Sequence, residues 1–387
     1  MNPASRRRSV LPAIALAAVV AGCSWSGGQS KPAWIDGVSR EYPSAQYLIG
    51  VGQGNNRAVA EDQAYAALAR IFKAEVSAQS KDWESYLLVE QRGTTRDERR
   101  LTLDSLTRVS TDKVLENAQI VDRWYDPENG VHYALGGMHR SQAETAFLER
   151  MAVLDRSVQS DVDEARGTSD KLEKVRALRR AARNLVLRET YNADLRVIRA
   201  SGQGSAPAHR VQDLTRELED YLSSHLVLAV SVTGDHVEPV QRALSEGLIK
   251  EGFRVAVFQP PGPEVQPAGE AGRPAPQLLI RGMVRVWPID VRDPHFTYVR
   301  WCSDFEVVDL LRQQIVGAIS KGGKEGHLSE REATAKVIRV MQQDFSADVA
   351  KGIAAHVYGE SELPAEAIRP AGCPRDALRA TPATATH

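Results

Sequence analysis

The sequence predicts an α+β protein, two small mixed α/β sandwich domains joined by a helical hairpin connector. Three observations predict it. Apolar runs of strand length gather in two places, around residues 47–135 and 226–319, each beside amphipathic helical stretches. Between them lies a long stretch with apolar residues three and four apart, broken once at Gly167-Thr168-Ser169-Asp170. The chain has 387 residues, which suits two domains plus connections at about 150 residues per domain.

Composition narrows the function classes. With 42% apolar and 26% charged residues the chain is globular in makeup, neither collagenous nor wholly disordered. Its 49 Lys and Arg against 50 Asp and Glu leave a net charge of −1, so no electrostatic pull toward nucleic acid is available. Three cysteines are too few for a disulfide scaffold and are not spaced as metal ligands.

The N-terminus carries an address. Arg6, Arg7 and Arg8 precede an uncharged run over 10–22, the layout of a secretory signal. The run is shorter than the about 20 residues a membrane-spanning helix needs. It ends in Val20-Ala21-Gly22-Cys23, which resembles a bacterial lipobox. The resemblance implies that residues 1–22 are removed and that Cys23 becomes a diacylated N-terminus. Two or three acyl chains anchor firmly where one holds marginally, at about 0.8 kcal/mol per buried methylene. Ser24 stands where an Asp would signal inner-membrane retention, so the expected location is the outer membrane, on its periplasmic face. Residues 23–31 are then a lipidated, Ser/Gly-rich tether of at most about 3.3 to 3.6 Å per residue.

Residues 32–148 are expected to form the first domain. Tyr47-Leu48-Ile49-Gly50-Val51-Gly52 reads as a strand stopping at a Gly-rich turn. A helix from Arg57 follows, with a narrow face of Ala60, Ala64, Ala67, Leu68, Ile71 and Ala74 that lets it approach a sheet closely. A second helix is expected over 101–118. Residues 120–125 and 131–135 then read as a hairpin turning at Asn129-Gly130. The string Pro32-Ala33-Trp34, the Tyr47 to Gly52 run, the Ala-rich helix, Asp122-Arg123-Trp124 and His132-Tyr133-Ala134-Leu135 resembles the LPP-twenty family of bacterial lipoproteins. Its relatives include outer-membrane lipoproteins of flagellar assembly and the amino-terminal domain of the flagellar H-ring protein. The resemblance implies a fold and a compartment. It carries no catalytic residues over.

Residues 149–200 are read as the connector, a helical hairpin whose charged positions, Arg176, Arg179, Arg180 and Arg183 among them, form a solvated face. The pair could also bury its stripe against another chain, including a second copy. Residues 201–207 read as a flexible linker.

The distal domain, 211–358, opens with a short helix and a buried strand over 226–232. A helix over 237–251 and a strand over 253–258 follow. After a Pro- and Gly-rich loop at 259–276, residues 278–287 and 296–310 alternate. Val299, Trp301, Phe305 and Val307 face a core, while Arg300, Cys302, Asp304 and Glu306 face water. A further strand is expected over 313–319, ahead of a Gly-rich loop at 321–326. Ser329 and Glu332 then cap a helix with apolar residues at every fourth position from Ala333 to Val357. In outline this order resembles small periplasmic α/β domains such as the TolB amino-terminal domain and lipoprotein activators of peptidoglycan synthases. Residues 359–387 read as a disordered tail.

Chemical motifs are absent. GxGxxG fails at Asn55 or Arg57, and a P-loop reading places Gly323 where Lys must stand, so neither nucleotide nor cofactor is expected. The nine histidines show no metal-ligand spacing, and no GxSxG elbow occurs. Cys302 and Cys373 would remain in an oxidising compartment and are expected to pair, pinning the tail. The expected function is therefore non-catalytic: a lipid-anchored scaffold or assembly protein of the cell envelope, with envelope proteins as partners. The alternatives are a regulator docking on a cell-wall synthase and, third, an envelope hydrolase.

Overall fold

A computed structural model describes residues 30–92, 101–257, 275–364, 370 and 373. Cys23, nearly all of the 259–276 loop and most of the 359–387 tail lie outside them. The molecule is α+β, with two sheets and nine α-helices among the described residues.

The first sheet joins β1 (Tyr47–Gly54), β2 (Gln119–Asp126) and β3 (Val131–His139) in the antiparallel order β1-β3-β2. Asp126 shapes the β2–β3 turn by accepting from the Glu128 and Asn129 amides, and Gly130 supplies the positive φ of 66°. Helix α1 (Arg57–Gln79) starts at Asn56, whose side chain accepts from the Val59 amide. It lies across β1 so closely that the expected Gly-rich turn is in fact strand. A Cβ at Gly52 would overlap the Ala60 carbonyl and the Ala64 amide, and one at Gly50 would sit 2.8 Å from the Ala64 oxygen. The glycines serve the approach of a helix and meet Ala60, Ala64 and Leu68 of the predicted face, but that face is corrected beyond them: Ile71 and Ala74 are exposed, and the four-residue spacing carries the buried stripe through Phe72 and Val76 instead. Helix α2 (Glu84–Glu90), which periodicity did not reveal, and α3 (Leu103–Leu115) complete this half.

Helices α4 (Arg140–Gly167) and α5 (Lys171–Ile198) form the expected hairpin, with Asp170 capping α5 through the Leu172 and Glu173 amides. Of the charged connector positions, Arg176, Arg180 and Arg183 are exposed or half-buried, but Arg179 is buried and corrects the expectation there, because the apolar side of α5 is packed along its length. Along α5, Val175, Ala177 and Leu178 join the core of the second sheet. Ala181, Ala182, Leu185 and Val186 pack with Trp83 and Tyr86, and Ile198 closes on Leu68 and Met138 under the first sheet. One helix thus serves every large core. The 201–207 linker is likewise fastened: the Arg188 guanidinium donates to the Ser205 carbonyl, the Ser205 amide donates to Asn192, and Arg199 donates to the Gln203 and Gly204 carbonyls.

In the distal half, α6 (Val211–His225) leads to β4 (Val227–Gly234), α7 (Val237–Lys250) and β5 (Arg254–Val257). Then come β6 (Leu278–Ile289), β7 (Thr297–Asp309) and β8 (Gln314–His327), in sheet order β5-β4-β6-β7-β8. β4 is parallel to both its neighbours, and the rest is antiparallel. β8 runs straight through the predicted Gly-rich loop. Its glycines lie against neighbouring rings and sulfur, Gly323 on Trp301 and Gly326 on Tyr298.

Helices α8 (Glu330–Val340) and α9 (Ser346–Val357) are joined by a π-turn, Met341–Phe345. A stripe at strict four-residue spacing drifts around an α-helix of 3.6 residues per turn, and the wider turn restores its phase. All seven stripe residues from Ala333 to Val357 are consequently buried. The opposite face of β7 departs from the expected alternation, because Cys302 and Asp304 are buried too. The chain beyond α9 is ordered further than predicted. Leu363 packs at Gly317, and the Pro364 carbonyl accepts from the Ala318 amide on the outer edge of β8.

Candidate functional site

The predicted lipidation site, Cys23, lies outside the described residues. No described helix is long and apolar enough to cross a membrane. Among the described residues no group of three or more His, Cys, Asp or Glu side chains is arranged to hold a metal.

The family-like residues converge on the outer face of the first sheet. Trp34, buried in a 3-10 turn over Ala33–Asp36, donates its indole N–H to Asp122 at 2.7 Å. Trp124 and Tyr133 pack ring to ring at 5.5 Å, and the Arg140 guanidinium ties the Ser44, Val197 and Ile198 carbonyls together. These contacts staple the segment before β1 onto the sheet, so the motif is architectural. Beside it lies a groove of about 520 Å³, lined by Ile35, by Val51 and Gln53 of β1, by Tyr133 of β3 and by Gln63 and Arg70 of α1 among others.

A second concentration of chemistry sits where the two halves meet. Arg179 is buried and lies 3.7 Å from Glu90 and 3.3 Å from Glu360, with its guanidinium 4.4 Å from the Tyr358 ring centroid. It also donates to the Arg92 and Glu90 carbonyls. Tyr86 donates to Glu90 at 2.6 Å, and burial followed by that neighbouring carboxylate raises its phenol pKa well above the usual range. Arg183 reaches Glu90 at 3.2 Å. Sequence reasoning placed Arg179 among solvated charges. The available signal was partial: of its neighbours three and four residues away, Val175 and Ala182 are apolar and buried while Arg176 and Arg183 are charged, which sets Arg179 at the border of the apolar stripe.

A lone acid lies deeper. Asp194 on α5 is buried, accepts from the Ser110 hydroxyl at 2.7 Å through Oδ1, and leaves Oδ2 without a partner. Burial pushes its carboxyl up to about 7, the Ser110 hydrogen bond pulling weakly the other way. A carboxyl raised in the folded state stabilises the fold when protonated, so this contribution is complete below pH 3.8 and is lost as pH rises through about 7. Denaturant melts should therefore show Asp194→Asn gaining stability relative to the parent at pH 8 and losing that advantage at pH 5. An equal offset at both pH values would refute this assignment.

On the distal sheet the structure joins Cys302 to Cys373, with Cα atoms 5.7 Å apart. The sulfur of Cys373 lies over Gly322, the residue facing Cys302 across β7 and β8, where a side chain would collide with it. Beside them Asp304 accepts from the Ser320 hydroxyl.

Residues 32–139 match the family model described as LPP20 lipoprotein, which bears out the resemblance read from the motif residues over that segment. No curated protein matches the chain. Among solved structures, a secreted protein of Helicobacter pylori aligns with 80% of this chain and 97% of its own at 9% identity and a TM-score of 0.35. A minor lipoprotein from Acinetobacter baumannii aligns with 36% of this chain and 96% of its own at 8% identity and a TM-score of 0.25. A PelC dodecamer from Paraburkholderia phytofirmans aligns with 32% and 84% at 16% identity and a TM-score of 0.20. Likenesses this low carry nothing toward function.

Proposed function

We propose that this is a lipid-anchored, non-catalytic scaffold or assembly protein of the bacterial envelope, held at the periplasmic face of the outer membrane. The observation that carries the reading is the order of two signals. The Val20-Ala21-Gly22-Cys23 sequence is followed, after a short tether, by the segment that matches a lipoprotein family. The motif residues of that segment go into stapling a sheet, with Trp34 on Asp122 and Ala60 on Gly52, which supports a role in presenting surfaces. Flagellar or outer-membrane assembly is the setting that the family resemblance favours.

The test is chemical. Intact mass of the membrane-extracted chain should show a start at Cys23 with two or three acyl chains, and Cys23→Ser should move the protein to the soluble fraction. A bare thiol at position 23 with wild-type protein in the soluble fraction would end the anchoring proposal. Crosslinking in intact cells then identifies the partner. Recovery of ring or flagellar proteins supports the assembly role, and recovery of a cell-wall synthase replaces it with regulation.

A further inference from the structure

We infer that the outer edge of β1 is a pairing surface for β1 of a second copy of this chain, two three-stranded sheets joining antiparallel about a two-fold axis. A strand edge is a row of unpaired backbone donors and acceptors, and folds protect such edges with charge, bulges, shortness or a cover. The sheet edges of this molecule differ in how they are protected. β2, the other edge of the first sheet, carries Asp122, Arg123 and Asp126 and a register shift between Ile120 and Asp122. β8 has the chain at Pro364 hydrogen-bonded against it, and β5 is only four residues long. Among the described residues β1 has no charge, no bulge and no chain segment paired along its outer side. Its eight residues, Tyr-Leu-Ile-Gly-Val-Gly-Gln-Gly, contain no charge and no proline, and among the described residues no strand pairs with its outer side.

A groove lined by Val51 and Gln53 of β1 and by Val59, Gln63 and Arg70 of α1 lies beside this strand, and of the two β1 residues Gln53 is exposed and Val51 half-buried. Three points favour a second copy as its occupant. An uncharged strand pairs with itself without opposing like charges, and Arg70 is the single charge lining the groove. A two-fold contact satisfies both open edges at once and closes, while the charged, bulged β2 edge discourages growth into a filament. Anchored chains share one leaflet, which raises their effective concentration for pairing. This last point rests on the proposed lipid anchor, and the first two do not.

The experiment uses the full chain in two forms, the membrane-extracted protein in lipid nanodiscs or vesicles and the Cys23→Ser protein in solution. A single cysteine at Val51→Cys, near the strand's midpoint, should crosslink chain to chain with a short bismaleimide in vesicles. Adding Gln53→Lys, at an exposed position on the same face, should reduce the crosslink at least tenfold with an unchanged thermal melt, while Gln119→Lys on the β2 edge should leave it unaltered. The soluble form should show the same pattern at higher protein concentration. Absence of crosslinked dimer in both forms, or a dimer indifferent to Gln53→Lys, overturns the inference. Pairing in solution with wild-type protein that proves unlipidated leaves the edge assignment standing and removes only the anchor.

Discussion

Replacing Gly52 with alanine should unfold the first half of the protein. The added methyl would fall on the Ala60 carbonyl and the Ala64 amide, both backbone atoms in the middle of α1 that no side-chain rotation can move aside. Overpacking a core ordinarily costs about 1 to 3 kcal/mol, and a clash with helix backbone belongs at or above the top of that range. At about 4 to 8 °C per kcal/mol for a small domain, the melting temperature should fall by more than about 10 °C. Gly167→Ala is the matched control. It lies at the end of α4 with nothing within 4 Å of the new methyl, and its melt should stay close to wild type. A Gly52→Ala protein that melts with the control would mean that α1 does not lie on β1 as described.

Arg179→Met should be the most damaging single change at the junction. Breaking a buried ion pair by removing one partner costs about 3 to 5 kcal/mol, because the other charge stays buried without compensation. Arg183 still reaches Glu90 at 3.2 Å, so the lower end is expected, about 3 kcal/mol. The carbonyls of Glu90 and Arg92 lose their donor and the Tyr358 ring loses its cation. Combining Arg179→Met with Glu90→Gln should recover part of the loss, since an uncharged amide tolerates burial better than an orphaned carboxylate. Chemical denaturation of the two variants and the parent decides the matter. A double variant less stable than Arg179→Met alone would show that Glu90 depends on other partners.

The residues announced the elements more clearly than their edges or their assembly. The strand of β7, the capped start at Ser329 and the Asp170 break between α4 and α5 are local signals, and each element is found where local physics places it. The glycines misled because two pressures select the same residue. At Gly50, Gly52 and Gly323 a neighbour's backbone or ring needs the room, and no turn follows. Helix α2 was hidden by its length, seven residues being too few for a period to emerge. Cys302 and Asp304 stand where alternation predicts a wet face, yet both are buried, since what lies against that face is remote in sequence. The same holds for Arg179 and Glu90, whose meeting depends on tertiary packing. For the candidate site, the lipobox-like Val20-Ala21-Gly22-Cys23 and the family motif were legible as strings. The open edge of β1 became visible only when the order β1-β3-β2 left it on the outside.

The placement of α5 also bears on where this protein can be divided. The matched segment ends at residue 139, but Phe147 and Ile198 lie beyond that point and seal the pocket of Leu48, Leu68, Phe72 and Met138. The recognisable portion is therefore an incomplete object that borrows its lid from downstream. Any shorter protein built on the same portion has to seal that opening with material of its own.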